Sequence, residues 1–222
     1  MRRMVVIGAG KIGSAIIRLL YRSGRYHLKV IEQNSLFLKE LPDTPAIEKV
    51  QLDVADHVGL VHHLTGWHGV ISACSFDVNT AIAKAAIEAG CSYFDLTEDV
   101  ETTAAIRRLS MRAVAGQILM PQCGLAPGFI GILAANMAAQ FEKLDVIKMR
   151  VGALPKYPSN KMMYNLTWST DGLINEYCNP CEAIVDGAKT TVAALDGLET
   201  FALDGVEYEA FNTSGGLGTL CE

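Results

Sequence analysis

The chain has 222 residues, half of them hydrophobic, and a formal net charge of −5. This composition provides enough apolar residues for a sizeable core, and it lacks the basic runs of a nucleic-acid-binding protein. No apolar stretch approaches the about 20 residues of a membrane span, and the six cysteines are too scattered for a disulfide scaffold. We therefore expect a cytoplasmic protein with neither nucleic-acid nor membrane partners.

The first half of the chain alternates between apolar runs and helical spacing. Strands are predicted at residues 4–7, 28–31, 50–52, 70–72, 93–95 and 117–120. One apolar stripe of helical spacing follows the first strand, and an alanine stripe that ends before Gly90 follows the fourth. Asp56 is a possible cap of a further helix over residues 56–64. This alternation predicts βαβ units and a doubly wound parallel sheet of the α/β class.

The pattern changes near residue 125. Pro127 lies between two glycines in a special turn over residues 124–128, and an apolar helix is predicted over residues 129–140. After it the sequence is more strand-like, at residues 146–152, 164–168, 200–203 and 206–211. We therefore predict a first domain over residues 1–124 and a second α/β domain with a mixed sheet over residues 125–222.

A glycine motif follows the first strand directly. Gly8, Gly10 and Gly13 fit the GxGxxG fingerprint, with Lys11 and Ile12 between the last two glycines. Glu32 ends the second strand, about 20 residues further on, where a carboxylate can accept hydrogen bonds from ribose hydroxyls. The amides at the start of the following helix suit a pyrophosphate. The sequence therefore predicts a dinucleotide site.

The residues around this motif indicate which dinucleotide binds. Gln33 and Asn34 follow Glu32 without an arginine to bind a 2′-phosphate, which favours NAD over NADP. Asp53 follows the third strand and could meet the adenine amine or cap the next helix. The residues after the fourth strand either contact the cofactor or pack tightly. These residues are Ser72, Ala73 and Cys74.

Four later motifs carry a resemblance to a known family. They are residues 123–128, 151–155, 172–177 and 213–216. With them the chain resembles the saccharopine dehydrogenase-like family over residues 5–216, and within the family its lysine 6-dehydrogenase branch. The resemblance implies a homodimer that joins a Rossmann domain to a substrate and dimerisation domain. It implies NAD(P)-dependent oxidation at the C–N bond of a small amino-acid substrate, here removal of the lysine ε-amine.

Two departures from the family keep other functions open. The family continues well past residues 213–216, so the chain looks truncated and its second domain incomplete. Family members also often carry tyrosine where this sequence has Phe76, which cannot donate a hydrogen bond. The alternatives are a saccharopine or carboxynorspermidine dehydrogenase, which acts on a secondary amine, and a non-catalytic nucleotide-binding protein.

Candidate catalytic residues follow the fifth strand. Oxidation of an amine requires its neutral form, so a nearby group must accept a proton. Asp95 and Glu98 are the candidates, and Asp95 could instead hold the substrate ammonium, as the resemblance implies substrate contact at this place. Capping of the helix that begins near Val100 is the alternative for both. In the family a cysteine at the place of Cys123 lies near substrate, although a free cysteine is more often a small buried hydrophobe.

Candidate substrate contacts are expected in the second domain. Arg150 alternates with Lys148 on a predicted strand and could bind an α-carboxylate, unless this face is simply solvated. Tyr164 and Asn175 could line the substrate cleft or an inter-subunit surface, or pack in the core, and the same holds for Trp168, Glu176 and Tyr177. Cys178 and Cys181 have CxxC spacing without further ligands, so we predict a turn at a helix terminus and no metal site.

Overall fold

The carboxyl ends of the strands in the first half of the chain meet at one edge of a parallel sheet. The computed structural model describes residues 1–152, 154–161, 163–166 and 168–222, and the chain divides into two units, Met1–Cys123 and Gly124–Glu222. Among the described residues, six strands form the sheet of the first unit in the order β3-β2-β1-β4-β5-β6. They are β1 Arg2–Ile7, β2 Tyr26–Glu32, β3 Ile47–Gln51, β4 Gly69–Ser72, β5 Ser92–Asp95 and β6 Leu119–Met120. This doubly wound order confirms the predicted fold class.

Helices connect successive strands of this sheet. They are α1 Lys11–Arg22, α2 Ser35–Lys39, α3 His57–Leu64, α4 Phe76–Glu88 and α5 Val100–Ser110. Asp56 caps α3 by accepting a hydrogen bond from the Gly59 amide at 3.0 Å, as predicted. Asn34 caps α2 and Asp99 caps α5 in the same way, each accepting from an amide of the first turn. Short polar side chains therefore determine where these helices begin.

The apolar core lies on both faces of the sheet. Val5 and Ile7 of β1 belong to one apolar cluster, whereas Val6 between them belongs to another. Neighbouring side chains of a strand point to opposite faces, so a short apolar run can fill both. Ile17 of α1 is 0% exposed and packs in the Val6 cluster with Leu28.

The second unit consists of helices and hairpins. It contains α6 Phe129–Ala138, α7 Thr170–Cys178, β7 Cys181–Val185, β8 Ala188–Val192, β9 Glu199–Leu203 and β10 Val206–Ala210. β7 pairs with β8 and β9 with β10, both antiparallel. Asp186-Gly187 and Asp204-Gly205 form the turns, and all four residues have positive φ, as type I′ turns require. The strands thus pair as local hairpins where a mixed sheet was expected.

Two predicted strands of the second unit are wrong. Residues 146–152, all described, form no strand, and the side chains of Lys148 and Arg150 both contact Glu199. Residues 164–166 and 168 also form no strand. Thr167, within that predicted strand, and Ala153, within the motif at 151–155, lie outside the described residues.

The sequence analysis did not predict β7 and β8, although Asp186-Gly187 is typical of a hairpin turn. The turn predicted at the CxxC segment is confirmed, since α7 ends at Cys178 and β7 begins at Cys181. Among the described residues no helix has the length and apolar character to cross a bilayer. Within the same residues no cluster of three or more potential metal ligands occurs.

Substitutions on the two faces of α1 test the packing of this helix. We expect Ile17→Ala to lower the free energy of unfolding by about 2–5 kcal/mol, because it removes buried methyl groups and leaves a cavity. Leu19, in the same helix, is 69% exposed, so Leu19→Ala is expected to change stability by only about 0.5 kcal/mol. Chemical denaturation followed by circular dichroism measures both variants. Equal losses would contradict the packing of α1 described here.

Candidate functional site

The glycine motif forms the loop between β1 and α1. Gly8 has φ of +92°, a conformation that side-chain-bearing residues rarely adopt. A Cβ atom on Gly13 would overlap the carbonyl oxygen of Gly8, so Gly13 permits the helix to pack on the loop. A Cβ on Gly10 would meet no atom of the described residues within 4 Å. Gly13 is therefore required by the fold, whereas the space beside Gly10 is open to a ligand.

The N-terminus of α1 is suited to an anion. Gly10 is its N-cap and has no side chain to accept from the first amides. Lys11 and Ile12 are exposed, and the first turn has no acidic residue. The first amides of a helix lack partners within the helix, and the helix dipole is positive there. A pyrophosphate fits this combination of free donors and open space.

The end of β4 packs beneath the glycine loop. The Ala73 amide donates to the Ile7 carbonyl oxygen at 2.8 Å, and a Cβ on Gly8 would lie 3.0 Å from the Ala73 carbonyl oxygen. Ser72 is buried, and its hydroxyl donates to Asn79 at 2.7 Å. Ser72 therefore matches the packing alternative, and it is not open to a cofactor. Ala73 and Cys74 are half-buried, and burial raises the pKa of the Cys74 thiol to about 11.

Glu32 connects the glycine loop to the turn that follows β2. Its Oε2 accepts a hydrogen bond from the Ala9 amide at 2.8 Å, and its Oε1 accepts from the Asn34 amide at 2.8 Å. Glu32 is 9% exposed. A carboxylate has about four lone-pair sites, so two remain after these contacts. Glu32 can therefore accept from ribose hydroxyls while it holds both loops, a second role that the sequence did not suggest.

A concave surface lies beyond Glu32, at the ends of β2 and β3. Its described lining consists of Gln33, Asn34, Ser35, Gln51, Leu52, Asp53 and Asp56, none of which is a cation. Asp53 is exposed here, and its Oδ1 accepts from the Ala55 amide at 2.9 Å. Capping of α3 was the alternative for Asp53, but Asp56 performs it. The surface is acidic and polar, with a shape open to an adenosine.

Protein groups surround the carboxylate of Asp95. The side chain is 0% exposed. Its Oδ2 accepts from the Tyr93 hydroxyl at 2.8 Å, and its Oδ1 accepts from the amides of Thr97 at 2.9 Å and Gln122 at 3.0 Å. Burial raises the pKa of the carboxyl, and the hydrogen bonds lower it. Asp95 is therefore a structural acceptor.

Hydrogen bonds to Asp95 also hold the segment that follows β6. The Asp95 carbonyl oxygen accepts from the Cys123 amide at 2.7 Å, and Gln122 has φ of +63°. Tyr93 and Gln122 are thus residues that sequence reasoning missed. Gln122 is 27 positions from Asp95, and no sequence pattern relates residues at that separation. Tyr93 was visible only as part of a strand.

Glu98, three residues after Asp95, differs in the hydrogen bonding of its carboxylate. Its Oε1 is buried, and no described residue donates a hydrogen bond to it. Burial, followed by the charges of Asp99 and Asp95, raises the pKa of this carboxyl, and the backbone amide of Glu98 lowers it. The cap of α5 is Asp99, so the capping alternative is wrong for Glu98 as well as for Asp95. Glu98 is the candidate carboxylate with an unused acceptor.

Cys123 follows the segment held by Asp95. The residue is exposed, and its Sγ lies 3.3 Å from the Met120 carbonyl oxygen. Desolvation and the neighbouring Asp95 raise the pKa of the thiol to about 11. Cys123 is therefore a thiol at neutral pH, without the thiolate that nucleophilic chemistry requires.

In the second unit Arg150 already binds a carboxylate of the protein. Its guanidinium contacts Oε1 of Glu199 at 2.6 Å and lies over the Phe201 ring, and Lys148 contacts Oε2 of Glu199 at 3.0 Å. This arrangement corrects the interpretation of Arg150 as a free guanidinium on a strand.

Hydrogen bonds from Ser214 to backbone carbonyl oxygens join the motifs at 172–177 and 213–216. The Ser214 hydroxyl donates to the Asn175 carbonyl oxygen at 2.9 Å, and the Ser214 amide donates to the Glu176 carbonyl oxygen at 2.9 Å. These bonds satisfy carbonyl groups in the last turn of α7. The Tyr164 hydroxyl accepts from the Trp168 indole at 3.2 Å. The Tyr164 hydroxyl therefore has a protein partner, whereas the contact of Asn175 is made by its backbone and leaves the role of its side chain a prediction.

Comparison with known proteins identifies both units. The model described as the saccharopine dehydrogenase NADP binding domain matches residues 4–120, and the model described as the saccharopine dehydrogenase C-terminal domain matches residues 124–220. A similar curated protein is the saccharopine dehydrogenase [NADP(+), L-glutamate-forming] of Saccharomyces cerevisiae. It is 23% identical over 206 residues, which cover 90% of this chain and 46% of the yeast protein.

A solved structure supports the same fold. Saccharopine dehydrogenase (L-Glu forming) from Saccharomyces cerevisiae aligns with a TM-score of 0.74 and 20% identity, covering 96% of this chain and 50% of the yeast chain. The chain thus spans about half the length of the relatives it matches. The two family models match residues 4–120 and 124–220, which is nearly the whole chain. This chain therefore belongs to the saccharopine dehydrogenase family.

Proposed function

We propose that this chain binds NAD and takes part in oxidation at the C–N bond of a small amino-acid substrate. The observation that carries the proposal is the glycine loop, where Gly13 closes the turn and the space beside Gly10 stays open at a helix N-terminus. These residues fit a dinucleotide pyrophosphate. Family membership supports the reaction class.

The choice of NAD over NADP rests on the surface beyond Glu32. A 2′-phosphate needs a cation near the second strand, and the described lining there contains carboxylates and amides instead. Asp53 and Asp56 would repel the additional negative charge. The matching family model and the yeast relative both carry NADP in their names, so this chain is proposed to differ from them in cofactor.

Glu98 is proposed to accept the proton of the substrate amine. A bound nicotinamide would supply the acceptor for a hydride from the carbon next to nitrogen, and water would hydrolyse the resulting imine. The nitrogen must first be neutral, and the free Oε1 of Glu98 supplies an acceptor whose raised pKa suits this transfer. Asp95 is proposed to support the loop instead, because its oxygens already accept from protein groups.

The substrate is proposed from resemblance and relatives. The yeast relative favours a secondary amine of the saccharopine type, and the motifs at 124–128 and 172–177 favour the ε-amine of lysine. A homodimer in the cytoplasm remains part of this proposal.

Calorimetry and absorbance at 340 nm test the function. We expect NAD to bind more tightly than NADP, because nothing in the described lining neutralises a 2′-phosphate. Turnover of saccharopine, but not of lysine alone, would support the secondary-amine reaction, and turnover of lysine alone would support deamination. Binding of NAD without turnover of any amine would favour the non-catalytic alternative. Absence of binding to either nucleotide would contradict the proposal.

Alanine substitutions at two glycines separate folding from cofactor binding. Gly13→Ala is expected to lower the free energy of unfolding by about 1–3 kcal/mol, because its Cβ overlaps the Gly8 backbone. Gly10→Ala has room for a Cβ in the free protein, so it should retain stability and lose affinity for NAD. Thermal unfolding and calorimetry measure the two effects. Gly10→Ala with unchanged affinity would argue against a pyrophosphate at this loop.

Neutral isosteres of the two carboxylates test their roles. Glu98→Gln is expected to lower kcat by about 10²-fold or more, because the amide cannot accept the proton. Asp95→Asn should retain kcat, since its amide oxygen can accept from Thr97 and Gln122 and its NH₂ can donate to Tyr93. Asp95→Ala should instead cost about 3 kcal/mol of stability or more, because it leaves these donors without an acceptor. Loss of turnover in Asp95→Asn would return the role of base to Asp95.

A further inference from the structure

We infer that Glu32 is a positioning residue that holds the phosphate-binding loop in its binding conformation, in addition to any contact with ribose. The inference rests on the proposed nucleotide binding. It goes beyond that proposal because it concerns how the empty loop is kept in shape. The geometry that carries it is the pair of hydrogen bonds from Ala9 and Asn34 to the two oxygens of one carboxylate.

The bond to Ala9 is the more important of the two. Ala9 lies between Gly8 and Gly10 and is 2% exposed, so water cannot readily replace a lost acceptor. Its amide donates to Oε2 of Glu32 at 2.8 Å. A buried amide without an acceptor is costly, and a bond to an ionised acceptor is stronger than one to a neutral acceptor. The loop conformation around Ala9 therefore depends on the Glu32 carboxylate.

Other bonds fix the two sides of the loop and the carbonyl group of Ala9, whereas the amide of Ala9 donates to Glu32. The Gly8 amide donates to the Ile31 carbonyl oxygen at 2.9 Å, and the Ser14 amide donates to the Gly10 carbonyl oxygen at 2.8 Å. The Ser14 hydroxyl donates to the Ala9 carbonyl oxygen at 2.7 Å. Glu32 thus accepts from the amide at the centre of the motif. The glycines around it have few conformational restrictions of their own.

A preformed loop binds more tightly than one that must become ordered on binding. If Glu32 acts only on ribose, its replacement affects nucleotides that carry the adenosine hydroxyls. If it positions the loop, replacement weakens every ligand whose pyrophosphate binds there. A NAD analogue that lacks the 2′- and 3′-hydroxyls of the adenosine ribose separates these two roles.

The test compares the wild-type chain with Glu32→Gln and with Glu40→Gln, a matched control at an exposed position. The glutamine side chain offers one oxygen where the carboxylate offers two, so one amide faces an NH₂ group. We expect Glu32→Gln to weaken binding of the dideoxy analogue by about tenfold or more, measured by calorimetry. We also expect faster hydrogen exchange at the amides of Ala9 or Asn34 without nucleotide. Glu40→Gln should change neither.

Unchanged affinity for the analogue and unchanged amide exchange in Glu32→Gln would overturn the inference and leave Glu32 as a ribose contact alone. If Glu32→Gln does not fold, Glu32→Asp is used, because it keeps the charge but its shorter side chain cannot span both amides. The exchange measurement uses the protein without nucleotide. It therefore tests the loop contact even if the wild-type chain binds no NAD and the proposed function fails.

Discussion

Backbone amides in the loops that follow the parallel strands need hydrogen-bond acceptors. Two buried carboxylates at the edge of this sheet accept from them. Glu32 accepts from Ala9 and Asn34, and Asp95 accepts from Thr97 and Gln122. Buried amides are nearly always paired in folded proteins, so these contacts determine the path of each loop. The glycine loop and the segment that leaves β6 both depend on them.

This constraint separates two carboxylates that look equivalent in the sequence. Asp95 lies at the end of β5, where burial raises the pKa of its carboxyl and donors from two amides and a hydroxyl surround it. Glu98 lies beyond the strand, and Asp99 supplies the cap of the next helix. Among the described residues Glu98 therefore keeps one oxygen without a donor, and burial raises the pKa of its carboxyl. The difference comes from which backbone groups each side chain meets.

In the second unit, hydrogen bonds and ion pairs likewise join segments that are distant in the sequence. Ser214 joins the motif at 213–216 to carbonyl groups of α7, so two distant segments form one unit of structure. The Glu199 side chain binds Lys148 and Arg150, so these charged residues contact a carboxylate from a distant part of the second unit. The side chains of Arg150 and Tyr164, two predicted substrate contacts, thus already have partners within the protein.

The sequence by itself determined the α/β class, the parallel strands of the first unit and the glycine loop, because these features are local. Apolar runs, glycine spacing and capping residues such as Asp56 act over a few positions. Only the tertiary structure decided that Glu32 accepts from the glycine loop, that Asp95 accepts three hydrogen bonds and that Oε1 of Glu98 accepts none from the described residues. These outcomes depend on contacts such as that of Asp95 with Gln122, 27 positions away. A hydrogen bond between distant residues leaves no periodic signal in the chain, so folding must first bring its partners together.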